Sequence, residues 1–336
     1  MLVRPELGDW AVQWDRLIDG SPLPSPFLRS WWLTGTAGPG RQFVLVVQGD
    51  VLMGGIALER RRRLGLPFFT MMGAGPLCPD HLDLLAKPGH QDDVETSLGA
   101  WLRRSGPRAL DLEGVDADSL LVSALPAPVH RELLAVAPWT ALPADPDTYL
   151  AARTALFRRN LRRASARLAA EGVGHRVKRG SPAIRSLDTL QQLHAAQWGG
   201  RSRFLPSFDR FAAGCRLAAE VDEVAVHELA TGQSVIAIVV AFEVARRVSL
   251  YQSARLTDFR WRDSMTVLLH AIIRDACTRG FTEVDFLRGD ESYKNNFAPE
   301  QRQLLRLRVA NGKLAREVLT TEMAARKVKR LATRNR

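Results

Sequence analysis

Cysteine is scarce in this chain of 336 residues: there are three, and none of Cys78, Cys215 and Cys277 belongs to a CxxC pair. That spacing excludes a disulfide framework and fits a reducing compartment. Histidine is nearly as sparse, with seven scattered residues. Cys78 and His81 form a lone CxxH, short of the ligand set of a closed zinc site, so no metal is expected. No stretch approaches the roughly 18 apolar residues of a membrane-crossing helix. Glu6 and Asp9 interrupt residues 1–10, so neither a span nor a secretory leader is expected, and the chain is read as cytoplasmic. Gly73-Ala74-Gly75-Pro76 lacks the Lys-Ser/Thr of a P-loop, and there is no GxSxG elbow to support a serine hydrolase. Sequence-specific nucleic-acid recognition has no support either, because RNP-like aromatics, helix-turn-helix spacing and zinc knuckles are all missing.

What is present is an ordinary globular composition, 46% hydrophobic and 25% charged, with a net charge of +11 from 47 basic and 36 acidic residues. The excess favours an anionic partner: a phosphorylated cofactor, a nucleic acid or a lipid surface. The length exceeds what one core usually supports, so two domains are expected.

The same pattern occurs twice. Residues 43–47, the turn Gln48-Gly49-Asp50, residues 51–58, a basic stretch at 59–63 and a strand at 66–72 are repeated by 224–229, Thr231-Gly232-Gln233, 235–244, the pair Arg246-Arg247 and 248–253. A helix ending in glycine comes after each, at 93–105 with Gly106 and at 264–279 with Gly280. Asp111 and Asp285 then stand five residues beyond, inside apolar strands. Two coincidences in one order point to an internal duplication. The expected fold is α/β (α+β): two tandem domains, 1–144 and 145–321, each a mixed, mainly antiparallel sheet flanked by helices, then a basic tail at 322–336. Near the boundary Asp145 caps a helix with Pro146 at its first position. That helix, read over 147–171, has an apolar stripe of Leu150, Phe157, Leu161, Ala164 and Leu168. Arg153, Arg158, Arg159, Arg162, Arg163 and Arg167 cover the rest, as a solvated face or an anion-binding surface.

Three segments, Leu193-His194-Ala195-Ala196-Gln197-Trp198, Ser249-Leu250-Tyr251-Gln252 and Val284-Asp285-Phe286-Leu287-Arg288-Gly289-Asp290-Glu291-Ser292-Tyr293-Lys294, resemble the GNAT-superfamily branch typified by CelD-like proteins. That branch is related to the Fem-type aminoacyltransferases, and both carry two GNAT-like domains. The resemblance runs over about 157–297 and implies an N-acyltransferase of the 2.3.1 class whose site lies in the C-terminal half. Its co-substrate is expected to be acyl-CoA or acetyl-CoA, or an acyl-carrier thioester, and its acceptor a small amine or amino sugar of polysaccharide or secondary-metabolite synthesis. The alternatives are a Fem-like transferase using aminoacyl-tRNA and a non-catalytic binding module. A tRNA or an anionic lipid-linked acceptor could meet the Arg153–Arg167 helix.

Direct acyl transfer needs a donor for the carbonyl oxygen, a base for the ammonium and an acid for the thiolate. By resemblance the strand at 248–253, with Tyr251 and Gln252, supplies carbonyl-binding amides. The helix opening at Ser264 would hold a pyrophosphate with Arg260 and Arg262; its entrance, Arg260-Trp261-Arg262-Asp263-Ser264, contains no glycine. Asp290 or Glu291 would take the amine proton, Tyr293 would protonate the sulfur, and Lys294 would hold a phosphate or the oxyanion. Asp285 is either a catalytic acid or a buried structural one. Gln197, Trp198 and Arg201, with Glu291, would border the acceptor. On the strand, alternation sends one of Tyr251 and Gln252 to the cleft and the other away from it.

Overall fold

The computed structural model describes residues 1–104, 106–126, 128–289 and 291–334. Its strands are β1 (Leu2–Arg4), β2 (Arg41–Gln48), β3 (Val51–Arg63), β4 (Leu66–Met71), β5 (Leu85–Ala86), β6 (Arg108–Asp116), β7 (Val129–Ala141), β8 (Gly174–Lys178), β9 (Val224–Thr231), β10 (Ser234–Val244), β11 (Arg247–Arg255), β12 (Glu283–Asp285) and β13 (Glu300–Asn311). The helices are α1 (Ala11–Asp19), α2 (Ser30–Thr36), α3 (Gln91–Arg104), α4 (Leu120–Ala124), α5 (Pro146–Ala151), α6 (Ala155–Ala170), α7 (Gly180–Trp198), α8 (Phe208–Glu220), α9 (Ser264–Thr278) and α10 (Lys313–Arg334). Among the described residues no helix is long and apolar enough to cross a membrane.

Two compact units result: Met1–Leu33, Ala37–Leu134 and Gln303–Arg336 form the first, and Thr34–Thr36 with Ala135–Arg302 the second. In the first unit β1 to β4 pair antiparallel in sequence order. β6 then joins β4 in parallel after α3, and β13 closes on β6 antiparallel from Leu304↔Asp116 to Asn311↔Arg108. In the second unit β8, β9, β10 and β11 pair antiparallel, and β12 joins β11 in parallel after α9. The duplicated order of the sequence is therefore a duplicated topology. Its two aspartates also match: Asp111 lies on β6, ion-paired with Arg306 and Arg308, and Asp285 on β12, ion-paired with Arg247 and Arg302.

Three local expectations change. The division at 144 and 321 assigns the last strand to the second domain, whereas the ladder of β13 to β6 places Gln303 onward in the first unit; hydrogen-bond register over nearly 200 residues leaves no mark in local periodicity. The helix read over 147–171 is two helices, because Thr154 takes an extended conformation and caps α6, its side chain accepting from the Phe157 N–H at 3.2 Å. The basic stretch at 59–63 is strand, paired with β4 from Glu59↔Thr70 to Arg63↔Leu66, with Arg60, Arg61 and Arg62 exposed.

The second unit's core lies between its sheet and α5, α6 and α9. Leu161, Leu168, Leu268, Leu269, Ile272 and Ile273 pack there against Val239, Ala241, Val248 and Leu250. Burying each large aliphatic side chain contributes about 1.5–3 kcal/mol, so α9 is fixed by its apolar face rather than by helix propensity. On the opposite face Phe211 of α8 meets the ring of Tyr251, which in turn meets that of Phe242.

In the first unit Leu307 of β13 is fully buried. Leu307→Ala is expected to destabilise that unit by about 2–5 kcal/mol. Amide exchange should rise in β6 before it rises in β9 or β10. A rise confined to β9 and β10 would contradict the assignment of β13.

Candidate functional site

The site begins where two strands part. β11 and β12 are in register only at Arg247↔Glu283, Val248↔Val284 and Ser249↔Asp285. Beyond that rung β11 stays with β10 as far as Arg255. The chain after β12 instead runs along β7, with Phe286 N–H donating to Pro138 O at 2.9 Å and Gly289 N–H to Val136 O at 3.1 Å. Among the described residues no strand therefore pairs that side of β11 from Leu250 onward, and its main-chain groups there must find other partners.

Asp285 anchors the last rung. It is fully buried and ion-paired with Arg247; its carboxylate also lies 3.3 Å from Arg302 Nη1 and accepts the Leu287 N–H at 2.6 Å. Arg247 and Arg302 each reach Glu283 at 2.7 Å. Of the two roles open to Asp285 in the sequence, these contacts are those of a structural acid. Arg247, read from the sequence only as half of a basic pair, is the buried counter-charge.

A bulge overrides the expected alternation on β11. Val240 pairs with Gln252 but Ala241 pairs with Leu250, so Tyr251 is the extra residue. Ala241 and Leu250 face α9, which turns Val240 and its partner Gln252 the other way. The Tyr251 ring is also on that face, against Phe211 and Phe242. Both side chains thus lie on the α8 side, and what β11 presents at the parting is backbone. Near its end Gln197 accepts the Arg255 N–H at 3.2 Å, tying the last turn of α7 to the strand. Trp198 beside it is 45% exposed, and Arg201 is exposed in the 3₁₀ turn that comes next.

On the α9 side a cavity of about 490 Å³ is lined by residues including Asn160, Arg163 and Arg167 of α6, Arg262, Thr266 of α9, Tyr293 and Asn296. Asp263 precedes α9 in the left-handed region, φ 69°, where glycine is usual but aspartate is tolerated. Arg167 holds this entrance, donating to Arg260 O at 3.1 Å, Arg262 O at 2.6 Å and Asp263 Oδ2 at 3.1 Å. Arg260 pairs with Glu171. Ser264 is buried, and its hydroxyl has no hydrogen-bond partner among the described residues. The first-turn amides of α9 lack intrahelical acceptors and, with the helix dipole, suit an anion.

Tyr293 is 37% exposed at the cavity wall. Burial, and then the Glu291 carboxylate, push its hydroxyl up to about 12, so it stays protonated at neutral pH. Lys294 is buried, paired with Glu291 at 2.9 Å and donating to Arg288 O at 3.1 Å, so its ammonium braces the turn. That turn needs Gly289, whose φ of 136° is a conformation that L side chains rarely adopt. Asp290 lies outside the described residues.

Arg262 and Tyr293 are thus gathered at the cavity, and Arg260 and Ser264 at the entrance to α9. Gln197, Trp198 and Arg201 stand at the end of β11, while Asp285 belongs to the framework. Sequence reasoning missed Asn160, Thr266 and Asn296 and left Arg163 and Arg167 undecided. Asn160, Arg163 and Arg167 at i, i+3 and i+7 were the available signal. A second cluster, His227, Glu243 and Asp275, has ligand atoms within 4.8 Å of one another, but Arg179 and Arg279 already pair with Glu243 at 2.7 Å, which offsets the charge a cation would need.

Residues 155–295, within the second unit, match the profile of a family described as acetyltransferase (GNAT) domain. Solved structures share the fold. The C-terminal domain of a putative lysylphosphatidylglycerol synthetase from Agrobacterium fabrum is 13% identical with a TM-score of 0.61, covering 93% of this chain and 95% of that one. FemX is 10% identical with a TM-score of 0.62, covering 90% and 97%. A tandem GNAT protein from the clavulanic acid biosynthesis pathway is 12% identical with a TM-score of 0.50, covering 91% and 95%. A sequence search of curated proteins finds no match.

Asp285→Ala would leave the buried Arg247 with Glu283 as its counter-charge and remove the acceptor of the Leu287 N–H. It is expected to cost about 3–5 kcal/mol in denaturant unfolding. Unchanged stability with abolished turnover would instead make Asp285 a catalytic acid.

Proposed function

We propose that the second unit is an N-acyltransferase that moves an acyl group from acyl-CoA, or another phosphopantetheine thioester, to a primary amine of a small molecule or amino sugar. The observation that carries this reading is the edge of β11 past Ser249, which no strand of the described residues pairs, together with the first turn of α9 and a cavity walled by arginines. The donor's phosphates would lie at the α9 amides and Arg163, and its acyl carbonyl would accept from the β11 backbone. Gln197, Trp198 and Arg201 would border the acceptor.

In the reaction the amine nitrogen attacks the thioester carbon, the C–S bond breaks, and the nitrogen loses a proton to Glu291 or Asp290. A phenol held near 12 is a weaker acid than a thiol, whose ordinary value is about 8.5, so full proton transfer from Tyr293 to the thiolate runs uphill. Tyr293 is therefore assigned a hydrogen bond to the sulfur as its charge grows, and solvent protonates the departed thiolate. Lys294 is assigned the bracing of this segment.

A second reading, transfer of an aminoacyl group from tRNA, is favoured by one observation: Arg159 and Arg162 are exposed on α6 next to the cavity-lining Arg163. Retention of charged tRNA that falls steeply with salt would support it.

Tyr293→Phe is expected to lower turnover of an acyl-CoA by about 10²-fold, within the range for losing one hydrogen-bond donor to developing charge, without shifting the melting temperature. The wild-type rate should show no alkaline limb from this residue between about pH 7 and 10, because burial raises its titration above that window. Wild-type turnover in Tyr293→Phe, or the absence of any thermal shift with acyl thioesters, would contradict the assignment.

A further inference from the structure

An acyl thioester donor ends either in a nucleotide or in a carrier protein, and the rim of the arginine-walled cavity bears on which. Phe259, Arg260 and Trp261 form one 3₁₀ turn capped by Asp258, whose carboxylate accepts the Arg260 N–H at 2.8 Å. Trp261 packs against the core of the second unit, and Arg167 grips the carbonyls of Arg260 and Arg262. The turn is thus fixed from two sides. Phe259, two residues from the packed tryptophan, is nevertheless 75% exposed. The Arg262 guanidinium lies 4.2 Å from the centroid of its ring, and Arg262 also lines the cavity together with Arg163. Arg163 has no hydrogen bond or ion pair among the described residues.

A single exposed aromatic residue needs no explanation. This one sits on a pinned turn, backed by a cation that itself lines the cavity beside the guanidinium of Arg163. An aromatic face paired with arginine is what stacks a planar base, since every nucleobase offers a π-face, and a guanidinium within reach pairs the attached phosphate. We infer that Phe259 and Arg262 form a stacking platform for a nucleobase of the donor, with Arg163 on its phosphate. Built on the acyl-transfer reading above, this makes the donor nucleotide-bearing rather than a carrier-protein thioester.

The test uses the full chain and adenosine 3′,5′-bisphosphate as probe, monitored by calorimetry. Wild type should bind it, Phe259→Ala should weaken binding about tenfold, and Phe259→Trp should restore it. Arg163→Ala should weaken binding and flatten its salt dependence. Turnover of an S-acyl phosphopantetheine, which has no base, should be unchanged in Phe259→Ala. Displacement of the probe by coenzyme A, or instead by deacylated tRNA, identifies which source supplies the base. Equal affinity in wild type and Phe259→Ala overturns the inference. So does the absence of probe binding while S-acyl phosphopantetheine still acylates amines, a result that leaves the transferase reading intact. Failure of every thioester to acylate an amine would remove that reading, whatever the probe does.

Discussion

The rung Ser249↔Asp285 is the constraint on which the second unit's site depends. Two acids, Glu283 and Asp285, meet two arginines, Arg247 and Arg302, largely out of solvent. Each charge is tolerable only while the others stay in place, since the cost of stranding a buried ion exceeds the net gain of pairing it. The arrangement therefore specifies register more than it adds stability. Up to that rung β11 and β12 are one ladder; past it β11 keeps to β10 and the other chain segment keeps to β7.

Past the rung the fold makes several local accommodations. The bulge at Tyr251 turns two successive side chains toward α8 and leaves the parted edge as backbone. Gly289 lets the Glu291–Lys294 ion pair lie against the main chain, and that pair sets the turn from which Tyr293 reaches the cavity wall. At the other wall Asp263 takes a glycine-like conformation and Arg167 binds the carbonyls around it. An entrance without glycine is thus held by an arginine from α6.

Much of this framework was legible in the sequence. The helix expected at 264–279 is α9, the hairpins of both halves are present, Asp145 caps α5, and the paired aspartates hold equivalent places. Local periodicity and turn chemistry account for those features. The rest depends on partners distant in sequence. Nothing near Arg247 announces that it is buried, because its counter-charges stand on β12. A bulge shifts the period of β11 by one residue without any glycine to signal it. Arg163 and Arg167 share a helix with Arg158, which caps carbonyls of Ala151 and Arg153, and only the proximity of α9 separates their roles. The assignment of β13 is likewise a matter of register with β6.

The chemistry that this geometry supports asks little of individual side chains and much of position. Binding energy at the phosphates would hold the acyl carbon against main-chain donors already in place, so charge developing on its oxygen meets dipoles that need not reorganise. The most direct test is a crystal structure with a ketone analogue of acetyl-CoA, in which a methylene group replaces the sulfur. The ketone oxygen should lie about 3 Å from a main-chain N–H on the parted edge of β11, in the stretch 250–253, with the phosphates at the first turn of α9. A ketone bound elsewhere, or strands closed against each other below Ser249 and Asp285 with the ligand outside, would contradict that placement.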